Sequence, residues 1–196
     1  MISAIYDTGV IGLLQITEHK SAIVAVKFLE LEESLETLDS EYDRCRKAGE
    51  ASKEDVRLYC WKNQGSGVLE FEGEENPLLK KACVQIDEYL AGEREEFVLP
   101  IRFVGTRFQE EVWCALLEIP YGETCTYADI AKAVGRPKAC RAVGLANNRN
   151  PIPLIVPCHR VIGANGRLTG YVGGLDMKKK LLDIERARVV RGRLEV

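Results

Sequence analysis

Histidine is scarce in this chain: two are present among 196 residues, and none stands in an H-x3-H pair. None of the seven cysteines forms a C-x2-C pair, so the compact ligand spacings of a structural zinc site are absent. We therefore expect no metal and no other cofactor. One alternative stays open, a site built from scattered ligands in the first half: His19, Cys45, Cys60 and Cys83.

Long apolar runs are also missing. No stretch approaches the roughly 18–20 residues that a membrane-spanning helix needs, and the first residues lack the basic start and apolar core of a secretion signal. An odd number of cysteines argues against a disulfide framework. From these absences we expect neither a membrane protein nor a secreted one, and we expect reduced thiols in the cytoplasm.

The composition is that of a globular protein, with 46% hydrophobic and 29% charged residues. The net charge of −3 is unevenly divided: residues 1–100 carry 11 Lys+Arg and 21 Asp+Glu, whereas residues 101–196 carry 16 and 9. The second half is thus basic and suits a polyanion. We place a boundary near residues 100–105, with one domain over 1–100 and another over 105–190.

The first half reads as an α+β domain. Runs rich in β-branched residues at 11–16 and 21–29 predict strands joined by a hairpin turn near 17–20. Residues 30–57 are acidic and then mixed in charge, which indicates an insertion. Apolar residues at three-and-four spacing after Asn76-Pro77, ending before Gly92, predict a helix.

The second half reads as mostly helical. Helices are predicted over 108–119, 127–134, 138–147 and 175–187. Thr126 and Asp129 have the spacing of a capping box, and Gly135 ends the second helix. Two short helices around a tight turn fit a DNA-binding helix-turn-helix, although an ordinary helix corner has the same pattern. In the last helix we expect four residues to face inward: Leu175, Leu181, Leu182 and Ile184.

The most unusual stretch is residues 151–160, which carries three prolines and an apolar run up to a Cys-His-Arg sequence. Cys158 is either a buried structural thiol or a nucleophile, and a nucleophile needs a base. His159 is adjacent, and because successive residues of a strand point to opposite faces we expect a water between them. Few carboxylates follow residue 130, and Glu185 is the candidate to orient His159.

This stretch resembles the active-site signature of the methylated-DNA–protein-cysteine methyltransferases, which reverse O6-alkylguanine damage. The resemblance rests on Ile155-Val-Pro-Cys-His-Arg160, Asn147-Asn-Arg-Asn-Pro151 and Gly170-Tyr-Val-Gly-Gly174. It extends over the second half, through the segments 108–113, 119–123, 127–131, 136–144 and 181–185. The first half is similar only loosely, in the manner of the variable N-terminal domain of the family.

The resemblance implies roles for five catalytic residues. Cys158 would accept the alkyl group irreversibly, in a single turnover. His159 would act as its base through water, with Glu185 orienting the ring. Asn150 would hydrogen-bond near the thiol, and Tyr127 would press on the phosphate of the target nucleotide and protonate the leaving guanine.

The resemblance also implies a DNA surface. Arg141 would fill the base stack after the damaged base is flipped out. The carbonyls of Cys158 and Val161 would accept from the guanine amine, and the Val172 N–H would approach O6; some relatives have a small polar residue at that position. Tyr171 and Gly173 complete the substrate site. The implied DNA-binding residues are Thr126, Arg136, Lys138, Ala139, Arg141, Ala142 and Arg149.

The implied fold is a small antiparallel sheet with a helix, ribonuclease H-like, followed by a winged-helix-like domain with the helix-turn-helix. The implied partner is double-stranded DNA containing O6-alkylguanine or, less readily, O4-alkylthymine. A monomer would bind it in the minor groove, associated with DNA in the cytoplasm. Two alternatives remain, a non-catalytic sensor of alkyl lesions and a helix-turn-helix regulator with an incidental Cys-His pair.

Overall fold

The computed structural model describes residues 1–29, 57–63, 69–71 and 76–193. Residues 30–56 of the predicted acidic insertion, Cys45 among them, therefore lie outside the described residues. The chain forms two compact units, one from Met1–Asp87 and Leu99–Arg102, the other from Glu88–Val98 and Phe103–Val196.

The first unit contains a five-stranded sheet with the order β3-β2-β1-β4-β5. Its strands are β1 Ile2–Asp7, β2 Leu13–Glu18, β3 Ile23–Leu29, β4 Arg57–Asn63 and β5 Leu69–Phe71. The first three are antiparallel neighbours, with Ile2 opposite Glu18 and Leu13 opposite Leu29. Strand β4 instead runs parallel to β1. The predicted α+β class with a small antiparallel sheet is confirmed, and the parallel strand is an addition to it.

The predicted hairpin is confirmed, with its turn centred on Lys20 and Ser21. Their φ angles are 52° and 59°, and His19 and Ala22 exchange backbone hydrogen bonds across them. Two consecutive left-handed residues give the type I′ turn whose twist matches that of the strands. The sequence patterns did not predict β1, which lies between β2 and β4 and buries Ala4 and Tyr6 completely.

Helix α1, Pro77–Leu90, begins where the sequence predicts. The Asn76 side chain accepts from the Leu79 N–H at 2.9 Å, and Pro77 occupies the first helical position, where a missing N–H costs nothing. One stripe of the helix is fully buried: Leu79, Ala82, Cys83, Ile86 and Tyr89.

The second unit is mostly helical, as predicted. Its helices are α2 Arg107–Leu117, α3 Tyr127–Ala133, α4 Cys140–Asn148 and α5 Gly174–Arg193. The predicted capping box is present: the Thr126 side chain accepts from the Asp129 N–H, and the Asp129 carboxylate accepts from the Thr126 N–H. Gly135, at φ 71°, ends α3 in the left-handed conformation that favours glycine.

Trp113 fixes α2 against α4. Its indole N–H donates to the Ala146 carbonyl at 2.9 Å, and its ring is buried. Gly105 makes this packing possible, because a Cβ there would lie 2.6 Å from the Trp113 ring. The helix pair α3–α4 is thereby set on a rigid base.

In α5, Leu181 and Leu182 are buried as predicted, but the expectation for Leu175 is wrong: its side chain is 48% exposed. Leu175 is only the second residue of the helix, before the buried stripe begins. Within the part of the chain that the structure describes, no helix is long and apolar enough to cross a membrane.

Candidate active site

The segment leading to Cys158 is held by packing and by one side chain. Residues 152–158 are all buried, and Leu154 has a φ of 76°, a strained conformation for a non-glycine residue. Asn150 closes the loop. Its amide donates to the Val156 carbonyl at 2.9 Å, and its carbonyl accepts from the Ile152 N–H at 3.0 Å. The thiol is thus delivered by a rigid backbone.

Cys158, His159 and Arg160 form a 3-10 turn, followed by a short strand, Val161–Ile162, which pairs in parallel with Cys125–Thr126. The expectation of an extended strand at Cys158 is therefore wrong. Pro157 precedes the turn with ψ at 59°, and the turn closes through the Arg160 N–H and the Pro157 carbonyl. All three residues of the turn are buried.

One ring nitrogen of His159 lies within hydrogen-bond distance of both a carboxylate and a tyrosine hydroxyl. Its Nε2 lies 2.8 Å from Oε1 of Glu185 and 3.3 Å from the hydroxyl of Tyr89. The Tyr89 hydroxyl in turn donates to the same Oε1 at 2.6 Å. The other ring nitrogen, Nδ1, is buried and has no hydrogen-bond partner within the described residues.

Arg160 clamps the carboxylate of Glu185. Its guanidinium lies 2.9–3.1 Å from both carboxylate oxygens and also donates to the Ile119 carbonyl at 2.6 Å. The Gly122 N–H adds a further bond to Oε2. Burial by itself would raise the pKa of Glu185, but the hydrogen bonds and charges of His159 and Arg160 lower it to about 2. Glu185 is thus a fixed, ionised acceptor.

Burial raises the pKa of the Cys158 thiol to about 11, although the Asn150 side chain and the charge of Lys178 act in the opposite direction. The resting group at neutral pH is therefore a thiol, and it becomes a nucleophile only when a base removes its proton. Burial also lowers the pKa of His159, which keeps the neighbouring imidazole neutral and able to accept a proton.

Lys178 is a site residue that the sequence patterns did not single out. Its side chain is fully buried, and its ammonium donates to the carbonyls of Val161 and Thr169 at 2.6 and 2.8 Å. Burial lowers the pKa of Lys178 to about 8, whereas the Cys158 thiolate raises it. A buried ammonium is thus electrostatically coupled to the thiol.

The loop of residues 169–174 begins next to the Lys178 ammonium, which donates to the Thr169 carbonyl. The Tyr127 hydroxyl donates to the Thr169 carbonyl at 3.2 Å. Tyr171 is buried, with its ring 6.4 Å from that of His159 in an edge-to-face arrangement. Val172 is 48% exposed, and Gly173 is half-buried. Lys178 therefore links the 169–174 loop and Tyr127 to the Val161 carbonyl, which follows the Cys158 turn.

The predicted DNA residues on helix α4 and on the segments beside it are at least partly open to solvent. Lys138, Arg141, Ala142 and Arg149 are exposed, and Thr126 and Ala139 are half-exposed. Arg136 is exposed too, but its guanidinium pairs with Glu111 at 3.0 Å and stacks on Phe108. Elsewhere on α4, Gly144 lies against the Tyr127 ring and Ala146 is buried.

Three further residues of the site were missed: Tyr89, Arg160 and Asn147, whose amide donates to the Cys158 carbonyl at 3.4 Å. Asn147 and Arg160 stand inside the motifs already quoted, so their positions were a usable signal. Tyr89 had none, because on an apolar helical stripe it reads as a core residue. Of the scattered metal set, Cys45 lies outside the described residues, and within those residues no three potential ligands cluster.

Comparison with known families covers almost the whole chain. Residues 1–103 match the ribonuclease-like domain and residues 107–187 the DNA-binding domain of 6-O-methylguanine DNA methyltransferase. The division between the two matches, at residues 103–107, lies close to that between the two compact units, although the second unit also includes residues 88–98.

Individual relatives agree with this. A methylated-DNA–protein-cysteine methyltransferase of Methanosarcina acetivorans is 60% identical over 112 residues, or 57% of this chain and 72% of that one. The constitutive enzyme of that name from Bacillus subtilis is 55% identical over 127 residues, covering 64% and 77% of the two chains. The crystal structure of Mycobacterium tuberculosis OGT in complex with DNA has a TM-score of 0.72 at 37% identity, covering 96% and 94%.

Proposed function

The chain belongs to the methylated-DNA–protein-cysteine methyltransferase family, and we propose that Cys158 is the cysteine that receives the alkyl group. The activity is DNA repair by direct reversal, in which an alkyl group passes from DNA to the protein. The observation that carries the assignment of Cys158 is its neighbour: His159 is held at Nε2 by Glu185 and retains an unpartnered Nδ1.

The reaction uses these groups in order. The Cys158 proton passes through a water to Nδ1 of His159, and the thiolate attacks the alkyl carbon on O6 of guanine. The S–C bond forms as the C–O6 bond breaks, and the guanine takes a proton, for which Tyr127 is the donor. The thioether product has no easy return path, because restoring the thiol would require the thiolate of Cys158 to act as a leaving group from carbon, so each molecule reacts once.

DNA approaches the exposed side of α4. Because a base stacked in a duplex hides O6 from a thiol on a rigid buried turn, the damaged nucleotide leaves the stack. Arg141, exposed on α4, takes its place. Contacts from Lys138 and Arg149 to phosphates position the helix without reading sequence. The protein would thus bind the minor groove as a monomer, with residues 105–190 as the DNA-binding and acceptor domain.

The substrate pocket is formed by backbone groups. The carbonyls of Cys158 and Val161 accept from the guanine amine, and the Val172 N–H faces O6. Lys178 and Asn147 already donate to these two carbonyls, which fixes their direction before the base arrives. O6-alkylguanine is accordingly the main substrate, and O4-alkylthymine, which lacks the amine, a poorer one.

The test is a mass measurement on peptides after incubation with an O6-methylguanine oligonucleotide. A gain of about 14 Da (one CH2 group) is expected on the Cys158 peptide. Cys158→Ser should lose it, whereas Cys140→Ser, which removes a thiol on the DNA-facing helix, should keep it. Tight binding without any gain would favour the lesion-sensor alternative, and a gain on another cysteine would refute the assignment of Cys158.

A further inference from the structure

Tyr89 reaches the reactive group from the last turn of α1. Its side chain is fully buried, and its ring packs 5.2 Å from Phe97 and 5.9 Å from Tyr121. The hydroxyl lies 2.6 Å from Oε1 of Glu185 and 3.3 Å from Nε2 of His159. Two aromatic neighbours thus hold the phenol where it touches both members of the His–Glu pair.

The hydroxyl hydrogen of Tyr89 can be donated to only one of these two groups, the carboxylate of Glu185. Glu185 is ionised, with its pKa lowered to about 2 by His159 and Arg160 against the effect of burial, so its oxygens only accept. Burial, followed by the charge of Glu185, raises the pKa of Tyr89, which keeps the phenol protonated. Tyr89 therefore donates to Oε1 and turns an oxygen lone pair toward Nε2.

Nε2 of His159 then faces two acceptors, the carboxylate oxygen and the phenol oxygen. A nitrogen lone pair at this position would meet no donor, because the single phenol hydrogen is used on Glu185. The proton of the neutral ring consequently stays on Nε2, and Nδ1 keeps its lone pair.

We propose that Tyr89 is a positioning residue that holds His159 in the Nε2–H tautomer, so that Nδ1 is the acceptor for the Cys158 proton. The proposal rests on the alkyl-transfer function above and assigns a role to a residue that touches no substrate. Tyr89 and Glu185 act together in it: both oxygens face Nε2 as acceptors, and the bond that the phenol donates to Oε1 also weakens the pull of the carboxylate on a second ring proton.

The charge balance explains that second effect. The ionisable groups around His159 come from α1, the 3-10 turn, the 169–174 loop and α5, and they are Tyr89, Cys158, Arg160, Tyr171, Lys178 and Glu185. Glu185 favours the imidazolium, whereas Arg160 and Lys178 oppose it. By donating to Oε1, Tyr89 weakens the pull of Glu185 on the ring. Its removal should therefore raise the pKa of His159.

The experiment is nitrogen NMR of protein labelled with 15N-histidine. The chain has two histidines, so two ring systems are observed, with His19 as the internal reference. The wild-type protein should show a pyrrole-type Nε2 and a pyridine-type Nδ1 for His159. A pyrrole-type Nδ1 would overturn the proposal without any variant.

Tyr89→Phe keeps the ring and removes only the hydroxyl. The titration midpoint of His159 should rise by about 1 pH unit, a tenfold change in proton affinity, while that of His19 stays fixed. The acid limb of the single-turnover transfer rate should move in the same direction, so that at pH values below the wild-type midpoint the rate falls by up to about tenfold. An unchanged midpoint and an unchanged limb would show that Tyr89 only packs.

Tyr6→Phe is the matched control, since it removes the hydroxyl of a fully buried tyrosine in β1 of the other unit. It should leave the His159 midpoint and the transfer rate unchanged. Because the NMR titration needs no DNA, a failure of the transfer function would appear as absent alkylation in every variant. A failure of the positioning role would appear instead as normal alkylation with an unshifted His159.

Discussion

Replacing Glu185 by Gln should destabilise the protein strongly, because no orientation of the amide suits its surroundings. Oε1 accepts from His159, Tyr89 and Arg160, and Oε2 accepts from Gly122 and Arg160. Whichever side receives the NH2 group, it meets at least two donors. The guanidinium of Arg160, whose side chain is 8% exposed, also loses its counter-charge.

Two estimates of the cost agree. The pKa of Glu185 falls from 4.5 to about 2, and at about 1.4 kcal/mol for each tenfold change in proton affinity the ionised group contributes about 3 kcal/mol. Breaking a buried ion pair by removing one partner costs roughly 3–5 kcal/mol. We expect Glu185→Gln to lower the free energy of unfolding by about 3 kcal/mol at neutral pH.

The assay is denaturant unfolding of both proteins as a function of pH. Because the folded pKa of Glu185 is lowered, its contribution is fully present above the unfolded value of 4.5 and is lost as the pH falls toward 2. The gap between wild type and variant should therefore narrow by about 1 kcal/mol near pH 3.5.

Asp183→Asn is the control on the same helix. Asp183 pairs with Lys179 at the surface, with half of its side chain exposed, and its removal should cost less than about 0.5 kcal/mol. If Glu185→Gln costs no more than Asp183→Asn, or if its cost does not change with pH, the carboxylate is not the electrostatic centre described here.

Three other predictions concern the reaction and DNA. Lys178→Met should slow transfer roughly tenfold near neutral pH, because the ammonium favours the Cys158 thiolate; the deficit should shrink above the Lys178 pKa of about 8, and a pH-independent deficit in single-turnover rates would contradict this. Arg141→Ala should slow transfer from duplex DNA by about tenfold or more while leaving thiol reactivity toward a small alkylating agent intact; equal losses would refute the base-stack role. Lys138→Gln should reduce the slope of log affinity against log salt by about 1 in binding titrations, and an unchanged slope would exclude a phosphate contact.

The sequence predicts the helices of the second unit well because their signals are local. The Thr126–Asp129 capping box and the Gly135 stop lie within a few residues of the bonds they describe. The first unit is harder, because its sheet depends on pairing between distant segments. Strand β1 is flanked by β2 and β4, and its parallel register with β4 joins residues more than fifty positions apart. No local pattern encodes that register.

The same distinction explains what was found and missed in the site. Glu185 could be singled out because carboxylates are rare in that part of the chain. Lys178 heads a run of three lysines, of which it alone is buried while Lys179 and Lys180 are exposed. Composition does not separate the three, since burial depends on where α5 packs. Tyr89 is likewise identical in pattern to a core residue until its hydroxyl is placed.

The 3-10 turn explains why the side chains of three consecutive residues have different contacts. With three residues per turn, successive side chains point about 120° apart, so Cys158, His159 and Arg160 cannot share one face. The imidazole is therefore turned away from the thiol beside it, and within the described residues no hydrogen bond joins the two side chains. Arg160 instead points toward Glu185 and donates to its carboxylate, which also accepts from His159. The proposed relay through water fits this geometry, because the turn that holds Cys158 points the imidazole of His159 in another direction.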